Sequence, residues 1–441
     1  MNFPVNGHCF VGLIALIDPP RVDVRDAIDT CRRAHIRVMM VTGDHPTTAS
    51  AIARMVGIIT NDHVVDIVDN NTLNDMNQDS VKNTSLTVKG SVIDILNKST
   101  WDNILKHQEI VFARTTPEHK LIIVKECQKR KNVVAVTGDG VNDAPALKAA
   151  DVGVAMGSGS DVARESAAIV LLDSKFSSIV AGIENGRMAF DNLKKVILYL
   201  LPAGSFSELT PVLASVFLGY PQPLSTFLML AICVATDIFP SLSLIYEEAE
   251  ADLMVRKPRS ITKERLVNPQ LLLHAYLFTG LYESIAAFTM FFYYMWVYGG
   301  LSIHDLTLLF SGYQDGFQGK TISELNETFF AGQTVFFVTL VLVQFGNLMS
   351  TRTRYLSFFQ HNPIRGRAKN HKLFVAMVVS TCIAIFVVYL PLFNIVFRTR
   401  DIPTEFWFIP LGWAVLYFCI DELRKLIIRR IPPSVVRYVS W

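Results

Sequence analysis

"AVTGDGVNDAPALKAADVGVAMGSGSDVA" (Ala135–Ala163) follows directly on the apolar run Val133–Val136. Two carboxylates four residues apart, Asp139 and Asp143, fall in a glycine-rich turn that the pattern places between a strand and a helix. A site of this kind suits Mg2+, which takes one or two carboxylates and fills its remaining positions with water and phosphoryl oxygens. A second strand-like run ends in the same way, "VMMVTGD" (Val38–Asp44). A threonine hydroxyl and free backbone N–H groups at such a turn can receive a phosphoryl oxygen. Between the two runs, "TTPEHKLIIV" (Thr115–Val124) opens a helix and carries Lys120, a cation able to neutralise phosphoryl charge. Thr42, Gly43, Asp44, Lys120 and Asn142 are therefore the candidate phosphoryl-handling residues, and Asp139 and Asp143 the candidate Mg2+ ligands. Strand-like and helical stretches alternate around them: Phe10–Ile17, Val24–Ala34, Arg37–Val41, Thr47–Val56, Leu121–Gln128, Val133–Val136 and Ala144–Ala150. That alternation predicts an α/β domain with a mostly parallel, doubly wound sheet, its ligands at the C-terminal strand ends.

The rest of the chain is of another kind. Only 18% of the 441 residues are charged and 51% are hydrophobic, with a mean hydropathy of +0.33, where a soluble protein carries about a quarter charged residues. The apolar excess begins near Val196. Six stretches reach the roughly 20 apolar residues that a membrane crossing needs: about 196–218, 224–245, 270–298, 329–350, 373–397 and 405–428. Arg and Lys crowd the links 246–269 and 351–372 and the end 424–441, whereas the alternate links hold only Lys320, Arg398 and Arg400. Basic residues mark the cytosolic side, so the N-terminal domain and the C-terminus are expected in the cytosol. The sequon at Asn326 then falls outside. The basic end "RKLIIRR" reads as a membrane-surface anchor, and His119 as a solvated helix-start residue. A net charge of +2 without a basic, aromatic-interleaved patch gives no reason to expect nucleic acid, and six scattered cysteines give none to expect disulfides. With a strand-like segment directly after Met1, no leader segment is expected ahead of the soluble part.

Ionisable residues inside a span are costly and mark function. Glu208 lies eleven residues before the turn "GYPQP" (Gly219–Pro223) and Asp237 fourteen after it, depths of roughly 16 and 21 Å at about 1.5 Å per residue. Two carboxylates near mid-membrane on adjacent helices describe a cation site. Pro202, Pro211 and Pro240 flank them and can free backbone carbonyls as further ligands. Glu283 is a third buried acid.

"DPPR" (Asp18–Arg21), "MVTGDHPTTASAIA" (Met40–Ala53), "VFARTTPEHKLIIV" (Val111–Val124) and "VAVTGDGVNDAPALKAADVGVAMG" (Val134–Gly157) resemble the phosphorylation (P) domain of P-type cation pumps, a haloacid-dehalogenase (HAD)-like, Rossmann-type fold. "IVAGIENGRMAFDNLKK" (Ile179–Lys195) resembles the stalk leading into their fifth membrane helix, and "DELRKLIIRR" (Asp421–Arg430) narrows the likeness to the Na+/K+- and H+/K+-ATPase α-subunit branch. The resemblance implies a P-domain portion over 1–178, a stalk over 179–195 and a membrane domain of six helices over 196–441. It implies Mg2+ and ATP as cofactors, with Asp18 and Arg21 near the nucleotide. Alkali cations (Na+ or K+, or H+) would be handled by Glu208, Asp237, Glu283, Gln344 and Asn347 in a multi-pass protein of the plasma membrane, with a β subunit as a further partner. The sequence departs from the branch at four places. Cys233 stands one helical turn before Asp237 where a second acid is usual, and "LPAGSF" (Leu201–Phe206) replaces a Ser/Asn pair with one residue inserted. Asn347 replaces Asp, and Glu283 replaces an amide, so the charge of the cavity differs. The family's phosphorylated Asp belongs to a D-K-T-G-T motif that does not occur here; Asp18 is followed by prolines, which have no N–H to offer a phosphoryl group. The expectation is the C-terminal half of a pump, inactive without its N-terminal half. The alternatives are a truncated, non-catalytic paralogue that regulates a full-length pump and a membrane-anchored phosphatase.

Overall fold

The structure is a computed structural model that describes residues 9, 11–12, 14, 19–60, 66–69, 85–173, 175–260, 264–310, 312–314, 316–366 and 368–431. Two compact units are distinguished, residues 1–184 with 254–258, and residues 185–253 with 259–441.

In the first unit, α1 (Asp23–Arg33) buries Ala27, Ile28 and Cys31 and carries Asp23 and Asp26 in its first turn and Arg32 and Arg33 in its last, a charge order that opposes the helix dipole. It leads to β1 (Met40–Val41) and α2 (Pro46–Met55), which starts on a proline with the His45 side chain accepting from the Thr47 amide. Next come β2 (Asp66–Val68), β3 (Leu86–Lys89), the short helices α3 (Gly90–Ile93) and α4 (Lys98–Ile104), and β4 (Ile110–Ala113). Then α5 (Pro117–Lys129), β5 (Ala135–Gly138), a 3-10 turn Val141–Asp143, α6 (Ala144–Ala149), β6 (Val152–Met156), α7 (Asp161–Ser166) and β7 (Ile169–Leu171) complete the unit. All pairings are parallel. Fully buried β4 shows the period of two that a strand covered on both faces requires. Ile110 and Phe112 join a cluster with Val88, Trp101, Ile104 and Ile123, while Val111 and Ala113 pack with Ile28, Ala49 and Ala53 on the other face.

The strands do not form the single sheet expected. They make two, in the orders β1-β4-β3-β2 and β5-β6-β7. Among the described residues each T-G-D turn thus closes a strand at the edge of its own sheet, and β5 alternates between exposed and half-buried residues. Val134, just before β5, packs on the same cluster as Met39 and Val41 around β1, so both edges border one apolar core. The expected strand Phe10–Ile17 lies mostly outside the described residues.

The second unit is helical. Helix α8 (Ser177–Leu201) runs into a π-helical segment Pro202–Ser207 and then α9 (Glu208–Leu218). After the Gly219 turn come α10 (Thr226–Ala231), a π segment Ile232–Thr236 and α11 (Ile238–Ile245). Next are α12 (Pro269–Leu273), a third π segment His274–Gly280 and α13 (Leu281–Val297), then α14 (Ile303–Leu306), α15 (Ile322–Thr351), α16 (His371–Tyr389), α17 (Pro391–Phe397) and α18 (Glu405–Arg430). Among the described residues five helices are long and apolar enough to cross a membrane: Thr226–Ile245, Pro269–Val297, Ile322–Thr351, His371–Tyr389 and Glu405–Arg430. The stretch 196–218, expected as one span, is shared between the end of α8, a π segment and the eleven residues of α9. The expected span 373–397 breaks at Leu390, which is extended because Pro391 follows it. Helix α15 is buried nearly all round and forms the axis of the unit.

Candidate functional site

Two groups of polar residues stand out, one in each unit. In the first, the β5 turn brings the Asp143 carboxylate over Gly138, so close that a Cβ there would meet it at 2.6 Å. Asp143 Oδ2 accepts from the Gly140 amide at 3.2 Å, and Oδ1 is 2.5 Å from Lys120 Nζ. Lys120 and Asp143 are thus an ion pair, while Asp139 and Asn142 are exposed beside them. At the β1 turn the Thr42 hydroxyl donates to Asp44 at 2.9 Å, and the Thr42 carbonyl accepts from the Thr115 amide and hydroxyl, both at 3.0 Å. Gly43 and Asp44 are exposed. Among the described residues no hydrogen bond joins Thr42, Gly43 or Asp44 to Lys120, Asp139 or Asp143; the two turns remain on separate sheets. Arg21 precedes α1, and Asp18 lies outside the described residues. His119 is not solvated, as its place at a helix start suggested. It is 8% exposed, its ring nitrogen accepts from the Thr116 amide in a capping box, and its other nitrogen is 3.1 Å from Asp94.

Among the described residues no three His, Cys, Asp or Glu side chains converge as a metal cluster. A pair of carboxylates, one already facing a cation, still matches the sparing protein ligation of Mg2+.

The second group lies in the helical unit, where each of three acids follows a π segment: Glu208 after Ser207, Asp237 after Thr236, Glu283 three residues after Gly280. π turns concentrate at functional sites. Glu208 Oε1 accepts from the Cys233 thiol at 3.2 Å. Asp237 is 2% exposed; Oδ1 is 3.5 Å from the Tyr199 hydroxyl, and Oδ2 has no hydrogen-bond partner among the described residues. Glu283 is fully buried; Oε2 accepts from the Ser207 hydroxyl at 3.1 Å and faces Gln344 Nε2 at 3.5 Å, and Oε1 likewise has no partner among the described residues. Asn347 donates to Gln344 Oε1 at 2.9 Å and approaches the Tyr199 carbonyl at 3.5 Å, and its own oxygen accepts from Thr351 at 2.9 Å. The structure therefore gathers Glu283, Gln344 and Asn347 around Ser207 and Tyr199. Asp237 is tied to that group through the Tyr199 side chain. Glu208 contacts Cys233, which sits where a second acid was expected.

Tyr199, Ser207 and Thr351 were not singled out from the sequence. Isolated hydroxyls in apolar runs carry little signal, though Ser207 sits directly before Glu208. In the basic end of α18, expected as a surface anchor, Arg429 and Arg430 are exposed but Lys425 is only 1% exposed. It pairs with Asp421 at 3.0 Å and donates to the Ser350 carbonyl at 2.7 Å.

Comparison with known proteins divides the chain in the same way. Residues 5–151 match the family model described as haloacid dehalogenase-like hydrolase, and residues 221–427 that described as cation transporting ATPase, C-terminus. The chain is 41% identical over 453 residues to the sodium/potassium-transporting ATPase subunit alpha-4 of Homo sapiens, covering 100% of this chain and 43% of that protein. It is 42% identical over 451 residues to the alpha-4 subunit of Rattus norvegicus, covering 98% of this chain and again 43% of the relative. The chain thus spans less than half the length of the curated relatives it matches.

Proposed function

We propose that this chain, which resembles the C-terminal part of P-type cation-transporting ATPase α subunits along its whole length, is the C-terminal half of an ATP-driven alkali-cation pump. In this reading residues 1–178 are part of a phosphorylation domain, 179–195 a stalk, and 196–441 a plasma-membrane domain of six crossings. The sixth crossing is α9 with the π segment before it and the end of α8. The phosphorylation domain and C-terminus face the cytosol.

One observation carries the cation reading: among the described residues, two carboxyl oxygens, on Asp237 and Glu283, are buried without a hydrogen-bond partner. An isolated buried carboxylate is costly and is retained where a cation or proton is its working partner. The surrounding oxygens are hard donors suited to an alkali ion. Glu208 and Asp237 supply charge, Glu283 adds a third acid, and Gln344 and Asn347 add neutral oxygens.

For the phosphoryl half, Asp139 and Asp143 would hold Mg2+, which when bound offsets negative charge on a phosphoryl group. Lys120 occupies Asp143 in the meantime and keeps its carboxylate aimed. Thr42, Gly43 and Asp44 offer a hydroxyl and backbone N–H groups from the other turn, and Asn142 a side-chain amide. The open edges of β1 and β5, bordering one core, suit the entry of a further parallel strand between the two T-G-D turns, and a preceding half would bring the phosphorylated Asp there. ATP would be bound mainly by that half, with Asp18 and Arg21 beside it. A β subunit remains part of this reading through the resemblance alone.

Co-expression with an N-terminal half that carries the D-K-T-G-T motif tests the proposal. Cation-dependent phosphoenzyme should form, Asp143→Ala should abolish it, and Glu208→Ala should spare it while shifting its cation dependence. Unchanged cation dependence in Glu208→Ala would remove the membrane site from this reading. If the native product proved no longer than this chain, the regulatory paralogue would take precedence.

A further inference from the structure

Ten residues beyond Asp237, just past the end of α11, Glu247 is buried with its side chain fully excluded from solvent. Arg352, just past the C-terminal end of α15, grips it with one edge of its guanidinium: Nε donates to Oε1 at 2.8 Å and Nη2 to Oε2 at 2.9 Å. Asn370, where α16 begins, donates to Glu247 Oε1 at 2.7 Å and to the Ser243 carbonyl of α11 at 2.9 Å. Asn192 of α8 donates to the backbone carbonyls of Ile245 and Glu247 at 3.1 and 2.7 Å. Arg352 Nη1 also donates to the His361 carbonyl at 3.3 Å. The ends of α11, α15 and α16 therefore meet at one carboxylate, and α8 holds the backbone beside it. Three of them reach the acid cluster a few turns away: α8 through Tyr199, α11 through its preceding residue Asp237, and α15 through Gln344 and Asn347. At about 1.5 Å per residue, Arg352 stands roughly 7 Å along its helix from Asn347, and Glu247 roughly 15 Å along its chain from Asp237.

Resting on the cation reading above, we propose that Glu247 is a positioning residue for the membrane cation site, a clasp that fixes α11 against α15 so that Asp237 and the Gln344–Asn347 pair stay within reach of one ion. The chemistry favours this over stability as the sole role. A buried, bidentate Arg–carboxylate pair contributes little net stability compared with apolar packing, but its geometry is specific, and here the specificity falls between the helices that bear the proposed ligands. Glu247 touches no cation itself. It acts through the helices it joins.

The test is equilibrium binding of radioactive Rb+ to the full chain purified in detergent, paired with thermal unfolding of each variant. Asp237→Asn serves as the ligand control. Glu247→Gln is expected to weaken Rb+ binding at least about tenfold when measured well below its unfolding temperature, with the number of sites unchanged; a purely structural residue would lower that temperature and leave affinity in the folded protein alone. Arg352→Lys keeps the charge and loses the fork. It is expected to weaken binding by a smaller factor and keeps the test open if Glu247→Gln does not fold. Wild-type affinity in both clasp variants, with binding lost in Asp237→Asn, would overturn the clasp and leave the cation site standing. Absence of Rb+ binding in the wild type would overturn both.

Discussion

Gly138→Ala is a small change with a calculable result. The new Cβ would stand 2.6 Å from Asp143 Cβ, Cγ and Oδ2, where ordinary contact begins at 3.4 Å, so the carboxylate must withdraw by about 0.8 Å. Metal ligation tolerates about ±0.2 Å, so Asp143 would leave coordination distance. The same movement pulls its oxygens from Lys120 and the Gly140 amide. Overpacking of this kind costs about 1–3 kcal/mol, and disturbing what holds a metal ligand costs about 10–100-fold in affinity. Titration of the full chain with Mn2+, followed by electron paramagnetic resonance of the free ion, should show a Kd raised by that factor. Gly182→Ala is the matched control, since a Cβ there meets nothing within 4 Å; in the interior of α8 alanine should be silent or slightly stabilising. If Gly138→Ala bound Mn2+ within twofold of the wild type, Asp143 would not be a ligand, and the reading of the β5 turn would fail.

Three further outcomes are expected. Glu109 accepts from the Thr60 amide, the Thr60 hydroxyl and the Ser85 hydroxyl, and so pins both ends of residues 61–84. Burial raises its pKa, but those bonds and Arg32 bring it below the usual value; Glu109→Gln should speed limited proteolysis within 61–84, and acid should do the same to the wild type as pH falls through the lowered pKa. At Glu247 burial pushes the pKa up, yet the nearby His361 ring and the bonds from Arg352 and Asn370 pull it down to about 2. Its stabilising contribution is complete above about pH 4.5 and should fade as pH falls toward 2, a loss that Glu247→Gln should remove from the pH profile of unfolding in detergent. The Cys127 thiol is raised first by burial, with Arg37 and Arg130 only partly opposing this. Iodoacetamide at pH 8 should therefore label exposed Cys9 well before Cys127, as peptide mass spectrometry would report.

Four helices of the first unit were legible because local chemistry decides them, whereas the short α3, α4 and α7 were not marked out. Amphipathic spacing places α1, and Pro at the first position places α2 and α5, within a residue or two of the expected Val24–Ala34 and Thr47–Val56 and a few residues upstream of Leu121–Gln128. Pairing between strands is not local, and the division into two sheets was not visible in runs as short as Met40–Val41. In the membrane half, hydropathy averaged over about twenty residues could not register a break at Leu390 or the sharing of 196–218 between α8 and α9. Acids declare themselves against an apolar background, so Glu208, Asp237 and Glu283 were found. Their hydroxyl neighbours, and the pairing of Lys425 with Asp421, depend on which helices face one another.

The π segments bear on how such a bundle can change. An extra residue in an α-helix turns everything beyond it by about 100°, which would aim a buried acid at lipid. A π turn takes the extra residue as a local bulge and returns the helix to its former heading. Pro202–Ser207 coincides with the place where "LPAGSF" was expected to carry one residue more than the pump sequences it resembles, and Glu208 follows at once. With such a turn before each of the three acids, length can vary on one side of the acid cluster while the bearing of each carboxylate is kept, and the residues around it can change one helix at a time.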